Sequence, residues 1–284
     1  MSKTFVTPLR YPGGKGRLGA WLAEVIKLNG LQNGTYIEPY AGGAGAAVFL
    51  LSNNYIDRIV INDADPVIYA FWKAVLNDTE RLISLIQNTP VTMETWHNQR
   101  SIVDSGDTAD WTALGFATFF LNRTNRSGII KGGVIGGKDQ TGPYKIGARY
   151  KIEDLILRIR RLETLKDRIS LFNLDAMDLL EARNIGRDDN SLTYLDPPYY
   201  QKGSQLYRNH YKPEDHKHIA EKVQAMNTPW LVTYDNCEPI RNLYQESNCV
   251  EFSLQYSTHI LRPKATEVMF SGGLTLFTDP YIKR

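Results

Sequence analysis

Residues 191–200 read SLTYLDPPYY, and this stretch decides the fold. Residues 192–195 are apolar and favour a β-strand, which must end at Asp196 because the prolines that follow cannot donate to a sheet. The pattern therefore predicts a carboxylate at a strand tip, then a rigid turn with exposed aromatic rings, and ligands in open α/β sheets bind at such tips. Asp196, the diproline carbonyls and the ring of Tyr199 suit a flat group that bears an amine. The alternative is an ordinary surface turn, since Asp-Pro is common in turns.

A glycine-rich turn follows the first predicted strand. Residues 35–51 read TYIEPYAGGAGAAVFLL, in which a short strand ends at Glu38, small residues form a turn at 42–45, and an apolar helix begins. This order is typical of nucleotide sites, because small residues let a ligand lie against the backbone. The last glycine of the dinucleotide fingerprint is absent, so the turn alone is weak evidence for a nicotinamide cofactor. A tight turn without a ligand is the alternative.

Two further segments carry candidate ligand-binding residues. Residues 9–18 read LRYPGGKGRL, a glycine turn that lets the backbone approach a ligand and places the charge of Lys15 beside it. The strand at 59–61 leads to Asp63, about 20 residues past the glycines, where an acid can bind ribose hydroxyls. Asp63 could instead cap the helix predicted at 66–75, but Asp65 fits that role better and leaves Asp63 for a ligand.

The middle of the chain changes character from residue 77 onward. Helical periods at 80–86, 93–102 and 111–121 precede a long glycine-bearing segment, 122–150, which we expect to be a flexible functional loop or a small β element. Between residues 122 and 151 there are seven basic residues and one acid, whereas all 284 residues together carry a net charge of only +2. Basic side chains on such a loop suit phosphate and groove contacts with nucleic acid. The alternative, a solvated charged loop, would carry acids nearly as often as bases.

The second half of the chain returns to an α/β pattern. We expect a helix at 152–167, a strand at 169–173, a helix at 175–182, the Asp196 strand, a helix at 213–226 and a strand at 230–234. A final antiparallel pair joins 250–254 with either 266–270 or 274–277. Strands that alternate with helices predict a largely parallel sheet.

Composition excludes several classes of protein. The apolar content of 42% is enough for a sizeable core. No apolar run approaches the roughly 20 residues that span a bilayer, and the N-terminus lacks the apolar core of a signal peptide. The cysteines, Cys237 and Cys249, have neither metal-site spacing nor the number needed for a disulfide framework. We therefore expect a soluble, cytoplasmic protein.

Taken in chain order, the motifs LRYPGGKGRL, IEPYAGGAG, IND, FLNRTNRSG and LDPPYY resemble the DNA adenine methylase family, the D12-class, α-group N6-adenine DNA methyltransferases of the Dam type. The resemblance covers nearly the whole chain. It implies an α/β fold: a Rossmann-like S-adenosylmethionine-dependent methyltransferase sheet with an inserted, mainly helical DNA-recognition domain. The implied boundaries are 1–76 and 165–284 for the catalytic domain and 77–164 for the inserted target-recognition domain.

The resemblance also implies an activity and a set of site residues. The activity is site-specific methyl transfer from S-adenosylmethionine, which leaves S-adenosylhomocysteine, to N6 of a flipped-out adenine in duplex DNA. Asp196 and the carbonyl of Pro197 would accept the N6 hydrogens, and Tyr199 would stack on the adenine. The implied cofactor-binding residues are Tyr11, Lys15, Glu38, Gly42, Gly45, Asp63, Asp175 and Asp196. The implied DNA-binding residues are Arg123, Arg126, Lys131 and Lys145, and no metal is expected.

We expect duplex DNA as the partner and a monomer as the oligomeric state. We expect the protein to be encoded by a prokaryotic cell or a phage, and a cognate restriction endonuclease stays open as a second partner. The pattern at 125–131 departs from that of relatives that read GATC, so the target sequence stays open. An N6-methylase for RNA, an N-methylase for a protein amide and a non-catalytic DNA-binding module stay open as well. The basic insert favours duplex DNA, and the intact motif residues count against a non-catalytic module.

Overall fold

A computed structural model describes residues 7–10, 15–182, 190–201, 211–255, 264–277 and 280. Within these residues a single seven-stranded sheet forms the centre of the protein. The strands are β1 Thr35–Glu38, β2 Arg58–Asn62, β3 Ile169–Phe172, β4 Ser191–Leu195, β5 Trp230–Asp235, β6 Asn248–Gln255 and β7 Lys264–Gly272. Their spatial order is β3-β2-β1-β4-β5-β7-β6, and β7 runs antiparallel to both of its neighbours. The predicted α/β, Rossmann-like sheet is confirmed.

The position of a ligand crevice follows from the strand order. Strand β1 pairs in parallel with β2 on one side and with β4 on the other, so the chain reverses its direction of winding between β1 and β4. Crevices form outside the carboxyl ends of parallel strands at such a reversal. All five residues of β4 are buried, as expected for a strand that is covered on both faces. Asp196 follows β4 directly and therefore lies at this reversal.

Helices cover both faces of the sheet. They are α1 Gly19–Leu28, α2 Gly45–Ser52, α3 Pro66–Asn77, α4 Thr79–Asn88, α5 Met93–Ser105, α6 Trp111–Thr124, α7 Ile152–Glu163, α8 Ala176–Glu181, α9 Pro213–Gln224 and α10 Glu238–Leu243. Tyr36 and Leu192 join the core beneath α1, α2 and α3. Leu195 and Val232 pack on the opposite side with Ile219 of α9. The alternation of strand residues between the two cores produces a three-layer arrangement.

The predicted helices and strands lie within a few residues of the observed ones. The prediction that Asp65 caps the N-terminus of α3 is confirmed. The Asp65 carboxylate accepts from the Val67 N–H at 3.1 Å, and Pro66 occupies the first turn of α3. Of the two alternatives for the final strand, 266–270 is confirmed, because β7 contains it while residues 274–277 are irregular.

The inserted helices share the core of the sheet. Helix α6 packs against α3, with the rings of Phe119 and Phe71 stacked at a centroid distance of 6.0 Å. At Gly115 the backbones approach so closely that an added Cβ would lie 2.5 Å from the carbonyl oxygen of Ala70. One continuous set of buried side chains extends from β1 and β2 into α4–α7. The division of the chain into a catalytic domain and an inserted domain at residues 77–164 therefore stays a prediction.

The segment expected to be irregular begins later than predicted. Helix α6 continues to Thr124 because hydrogen bonds satisfy the polar residues of its buried last turn: the Asn122 amide donates to the carbonyls of Arg10 and Gly128, and the Thr124 hydroxyl donates to that of Phe120. Beyond it the chain forms short 3₁₀ turns at Arg126–Gly128 and Ile146–Arg149, and an isolated bridge between Asn125 and Val134. In the described part of the chain, no helix is both long enough and apolar enough to span a membrane.

Candidate active site

Polar side chains gather where neighbouring parallel strands end. Glu38 ends β1, Asp63 follows β2, Asp196 follows β4 and Asp235 ends β5. Because these strands are adjacent and parallel, their carboxyl ends meet at one edge of the sheet. The edge therefore carries four carboxyl groups around the reversal between β1 and β4.

Asp196 is held from two directions. Its side chain is 21% exposed, and its Oδ1 lies 3.0 Å from the Lys15 Nζ. The Thr233 hydroxyl donates to the same Oδ1 at 2.8 Å, and that hydroxyl also contacts the Tyr194 hydroxyl at 2.9 Å. Burial raises the pKa of Asp196, the Lys15 ammonium opposes the rise, and Glu267 adds to it. The carboxylate is thus oriented by one cation and one hydroxyl before any ligand arrives.

Lys15 lies between two carboxylates. Its Nζ is 3.2 Å from Oε2 of Glu267, which is only 1% exposed, in addition to its contact with Asp196. Burial by itself lowers the pKa of Lys15, but the carboxylates of Asp196 and Glu267 outweigh it and hold that pKa well above its ordinary value. Lys15 is therefore an ammonium. We call Lys15, Asp196 and Glu267 the charge cluster.

Glu267 is the site residue that sequence reasoning missed. It is 252 residues from Lys15 in the chain and belongs to the antiparallel strand β7, where it pairs with Asp235. The prediction looked for acids at the ends of parallel strands, and that pattern does not apply to β7. One signal was available: Glu267 is a charged residue within an otherwise apolar predicted strand, where a buried charge requires a partner.

The expectation of an exposed ring at Tyr199 is wrong. Tyr199 is 9% exposed, and its hydroxyl donates to Oε1 of Glu267. The Lys15 Nζ lies 5.7 Å from the centroid of the ring. The turn that carries this ring is fixed further along, since the two oxygens of Asp235 accept the backbone N–H groups of Tyr200 at 2.8 Å and Gln201 at 3.0 Å. These contacts draw Tyr199 inward, beside the charge cluster.

The glycine turn is fitted tightly to its surroundings. Gly42 and Ala44 have φ values of 46° and 44°, and for alanine this left-handed conformation is strained. An added Cβ at Gly45 would lie 3.0 Å from the Cα of Gly16. The turn that follows β1 therefore lies directly against the segment that carries Lys15. Small residues at 42–45 are needed for this approach, as the sequence indicated for a ligand-binding turn.

Asp63 and Glu38 support the same turn. Asp63 accepts from the N–H groups of Gly42 and Asp65, each at 2.9 Å, and Glu38 accepts from the Ala47 N–H at 3.1 Å. Burial raises the pKa of Asp63 to about 7 although both N–H groups oppose the rise. Burial likewise raises the pKa of Glu38 to about 8 against the N–H of Ala47. Glu38 is thus largely protonated at neutral pH.

Asp175, a further predicted cofactor-binding residue, has a helix-capping role. Asp175 is exposed and caps α8, where its Oδ1 accepts from the Met177 N–H at 2.8 Å. The sequence did not separate this capping role from a ligand role. Tyr11 lies outside the described residues. In the part of the chain that the structure describes, no group of three or more His, Cys, Asp or Glu side chains is placed to hold a metal ion.

Arg123 corrects the prediction for the insert. It was expected on a flexible loop that contacts DNA, but it lies in the last turn of α6 and is 8% exposed. Its Nε donates to the carbonyl of Arg149 at 2.9 Å and its Nη1 to the carbonyl of Pro8 at 3.3 Å. Burial, and then the charges of Arg10 and Arg158, lower the pKa of Arg123 to about 9. Arg123 joins parts of the fold and does not face solvent.

The other three predicted DNA-binding residues, Arg126, Lys131 and Lys145, are exposed on a braced surface. Asn125 receives the Trp96 Nε1–H at 2.7 Å and donates to the carbonyls of Ile129 and Ile130, each at 2.9 Å. The Arg126 N–H donates to the Gly133 carbonyl at 2.9 Å. These bonds close the first part of the segment into a compact loop in place of the expected flexible one.

Gln140 braces the second part of the segment. Its Nε2 donates to the carbonyls of Ile135 and Gly137 at 2.8 and 2.7 Å, and its Oε1 accepts from the Ile146 N–H at 2.7 Å. Tyr144, on this part, is 63% exposed, and the Arg149 guanidinium lies 5.8 Å from its ring centroid. We call the exposed basic side chains of the insert the basic surface; they are Arg126, Lys131, Lys138, Lys145, Arg149 and Lys151.

Comparisons with solved structures give weak similarities. A protein from Listeria monocytogenes assigned as a class I S-adenosylmethionine-dependent methyltransferase is 8% identical, with 93% of this chain and 62% of that chain covered and a TM-score of 0.40. The rRNA methyltransferase AviRa from Streptomyces viridochromogenes is 11% identical, with 88% and 82% covered and a TM-score of 0.35. This chain therefore spans less than two thirds of the length of the first. At these TM-scores neither similarity bears on the fold or the activity.

Comparison by sequence gives a clearer result. No curated protein matches the chain significantly. A family profile described as D12 class N6 adenine-specific DNA methyltransferase matches residues 11–267, which include the glycine turn, the insert, the Asp196 turn and Glu267. The match extends over far more than half of the 284 residues. The chain belongs to the D12 class N6 adenine-specific DNA methyltransferase family.

Proposed function

We propose that this protein transfers a methyl group from S-adenosylmethionine to N6 of an adenine at a defined sequence of duplex DNA. The observation that carries the proposal is the Asp196 carboxylate, which Lys15 and Thr233 orient at the reversal of the sheet. Membership of the D12 class family supports both the reaction and the substrate. The sheet order supports the location, because the crevice of such a sheet opens where Asp196 lies.

The residues of the glycine turn fit S-adenosylmethionine. The glycine turn follows β1 directly, and Glu38 and Asp63 lie at the adjoining strand tips, where ligands of such sheets bind. In this proposal Asp63 binds the ribose hydroxyls, with Glu38, Lys15, Tyr11 and Asp175 as further contacts. The cofactor supplies a methyl group activated by its positively charged sulfur.

Asp196 performs the central chemical role. An adenine N6 inside a duplex is out of reach, so the base must be flipped out at a cost of a few kcal/mol. Asp196 and the carbonyl of Pro197 accept the two N6 hydrogens and direct the nitrogen lone pair toward the methyl group. As the N–C bond would form and the methyl–sulfur bond would break, with the electron pair left on sulfur as the neutral thioether, Asp196 would take up the proton that N6 releases. Its burial suits this role, because burial raises the pKa of Asp196.

Tyr199 provides the aromatic contact for the flipped base. Its hydroxyl bond to Glu267 fixes the plane of the ring, and the Asp235 contacts fix the turn behind it. A fixed ring holds the adenine in line with the methyl group, and such positioning lowers the barrier. The role of Tyr199 in this proposal is therefore to orient the base.

The insert at 77–164 provides the DNA-binding surface in this proposal. The basic surface offers six cations on loops that Asn125 and Gln140 brace. We assign sequence readout to Arg126 and Lys131, since Arg and Lys are the common partners of guanine, and phosphate contact to Lys145. Tyr144 adds an exposed ring among these charges.

The test is methyl transfer from labelled S-adenosylmethionine to matched substrates. Duplex DNA, an RNA duplex of the same sequence and a protein mixture are offered in parallel, with the Asp196→Asn variant as the control for the catalytic group. We expect label only in DNA, as N6-methyladenine at one sequence motif, and none with the variant. Label in RNA or protein and not in DNA would contradict the proposal, and so would the absence of label in all three.

A further inference from the structure

Glu267 reaches the active site from an unusual direction. The other carboxyl groups there follow parallel strands, whereas Glu267 comes from β7, which runs against β5 in the register Asp235 to Glu267. Each of its two oxygens has a partner: Oε2 is 3.2 Å from the Lys15 Nζ, and Oε1 accepts from the Tyr199 hydroxyl. Glu267 thus shares Lys15 with Asp196 and also holds Tyr199, which lies three residues after Asp196.

The charge cluster places two carboxyl groups against one ammonium, which is one negative charge in excess while both carboxyl groups are ionised. Lys15 lies 3.0 Å from Asp196 and 3.2 Å from Glu267, so one ammonium serves two carboxylates. The side chains of Lys15 and Glu267 are only 4% and 2% exposed, and water screens their interaction little. A buried carboxylate beside an already paired ion pair is costly to maintain. An excess charge in this position therefore calls for a function.

The neighbouring titratable groups leave this excess intact. Tyr194 and Tyr199 lie beside the cluster, and burial raises the pKa of Tyr194 well above its ordinary value, so it stays neutral. Burial also raises the pKa of Tyr234 well above its ordinary value. Glu38 also lies near Asp196, and with a pKa of about 8 it is largely neutral at pH 7. Asp235, at the end of β5, is engaged by the backbone N–H groups of Tyr200 and Gln201. The side-chain charges in direct contact with one another at Asp196 are therefore those of the charge cluster.

We infer that Glu267 is a positioning residue for methyl transfer: it shares Lys15 with Asp196 and leaves the site one negative charge in excess, so that Asp196 stays a strong acceptor for the N6 amine. This inference rests on the proposed function. Positive charge moves to N6 as the methyl group is transferred, and a fixed negative charge nearby stabilises it. Without Glu267, Lys15 would pair with Asp196 alone and the cluster would be neutral. Asp196 would then attract the N6 hydrogens less strongly.

The test compares Glu267→Gln, Glu267→Asp and the wild type in single-turnover methyl transfer to duplex DNA across a pH series. Glutamine keeps the shape and removes the charge, while aspartate keeps the charge. Glu246→Gln, at an exposed glutamate, is the matched control and should behave as the wild type. We expect Glu267→Gln to slow transfer about tenfold to a hundredfold, less than loss of a group that touches the reacting atoms. Dissociation constants for DNA and cofactor should change less than about threefold.

The pH series separates an electrostatic role from a merely structural one. Removing a negative neighbour lowers the pKa of Asp196, so the acidic limb of the rate profile should move to lower pH in Glu267→Gln and return toward the wild type in Glu267→Asp. A structural role would lower the rate at every pH and leave the limb in place. The inference would be overturned if Glu267→Gln kept the wild-type rate and the acidic limb of its rate profile stayed at the wild-type pH.

Two controls keep the result decisive. If thermal unfolding shows that Glu267→Gln does not fold, Glu267→Met, which also removes the charge, decides in its place: it should slow transfer more than it alters either dissociation constant, and a wild-type rate would overturn the inference. If the wild type itself leaves DNA unlabelled, the proposed function fails and the inference fails with it. If the wild type methylates DNA and the variants match it, only the inference fails.

Discussion

The strand tips and the insert place their charges in opposite environments. Lys15 is buried with a carboxylate within 3.2 Å on either side, whereas Lys131 is exposed on a braced loop. A buried charge acts over short distances on a fixed neighbour, and its effect depends on geometry. An exposed charge acts on a mobile polyanion through salt-sensitive attraction. In the proposed function, the same residue type therefore serves chemistry in one region and attraction to DNA in the other.

The largest effect is expected from Asp196→Asn. The substitution keeps the shape and removes the acceptor charge, and loss of one preorganised polar group at reacting atoms costs about 10²- to 10³-fold in rate. Single-turnover methyl transfer should fall by that factor while the cofactor dissociation constant, measured by calorimetry, stays within about threefold. The matched control is Asp104→Asn, an exposed acid on α5. Near-normal turnover by Asp196→Asn would show that the strand tip is not the catalytic region.

A smaller effect is expected from Glu38→Gln, and it concerns the free energy of unfolding instead of the rate of methyl transfer. The folded-state pKa of Glu38 is raised from 4.5 to about 8, so its proton stabilises the fold below pH 4.5 and this contribution is lost as the pH rises toward 8. Glutamine imitates the protonated form. The variant should gain on the wild type by about 1.4 kcal/mol per pH unit between pH 5 and 7. Urea unfolding of the free protein measures the gap, and a gap that does not change with pH would show that Glu38 is not held in its neutral form.

The sheet and its acids could be predicted because each apolar run ends at a polar residue. Ile59–Ile61 and Leu192–Leu195 are short, apolar and followed by Asp or Asn, and this pattern indicates strand ends directly. Arg123 could not be placed, because burial of a charged side chain at the end of α6 depends on the carbonyls of Pro8 and Arg149, which are distant in the chain. The same holds for Glu267, whose partner is Lys15. Periodicity can be detected in the sequence itself, whereas contacts between residues that are distant in the chain can be identified only once the fold is known.

Arg123→Met and Arg126→Met apply the same change to a buried and an exposed residue. Hydrogen bonds to charged groups contribute about 1.5–3 kcal/mol each, and Arg123→Met leaves two backbone carbonyls without that donor. We expect Arg123→Met to lower the free energy of unfolding by about 3 kcal/mol, whereas Arg126→Met, which loses one longer bond from Nε to the Val134 carbonyl, should lower it by about 1 kcal/mol. Denaturant unfolding gives both values. Equal losses would remove the distinction between the two regions.

The smallest effect concerns binding at Arg126. If Arg126 reads a base, Arg126→Met should cost about 1–3 kcal/mol at one position of the site and relax the choice there. If it contacts phosphate, binding should weaken for all sequences alike and the salt slope should flatten by about one unit. Methylation of a randomised duplex library at two salt concentrations separates these outcomes, with Lys131→Met measured beside it. Wild-type affinity, slope and preference in both variants would show that neither Arg126 nor Lys131 carries the sequence readout.

The close approach of α3 and α6 limits how this protein can be re-engineered. Under the proposal that the insert reads the target sequence, transplanting residues 77–164 from a relative is the way to build a chimera with a new target sequence. The donor segment would have to carry a glycine opposite Ala70, because any side chain at position 115 would place its Cβ about 2.5 Å from that carbonyl oxygen. It would also need a flat aromatic partner for Phe71 in place of Phe119. Specificity can be exchanged in such a chimera only together with the helix face that joins it to the sheet.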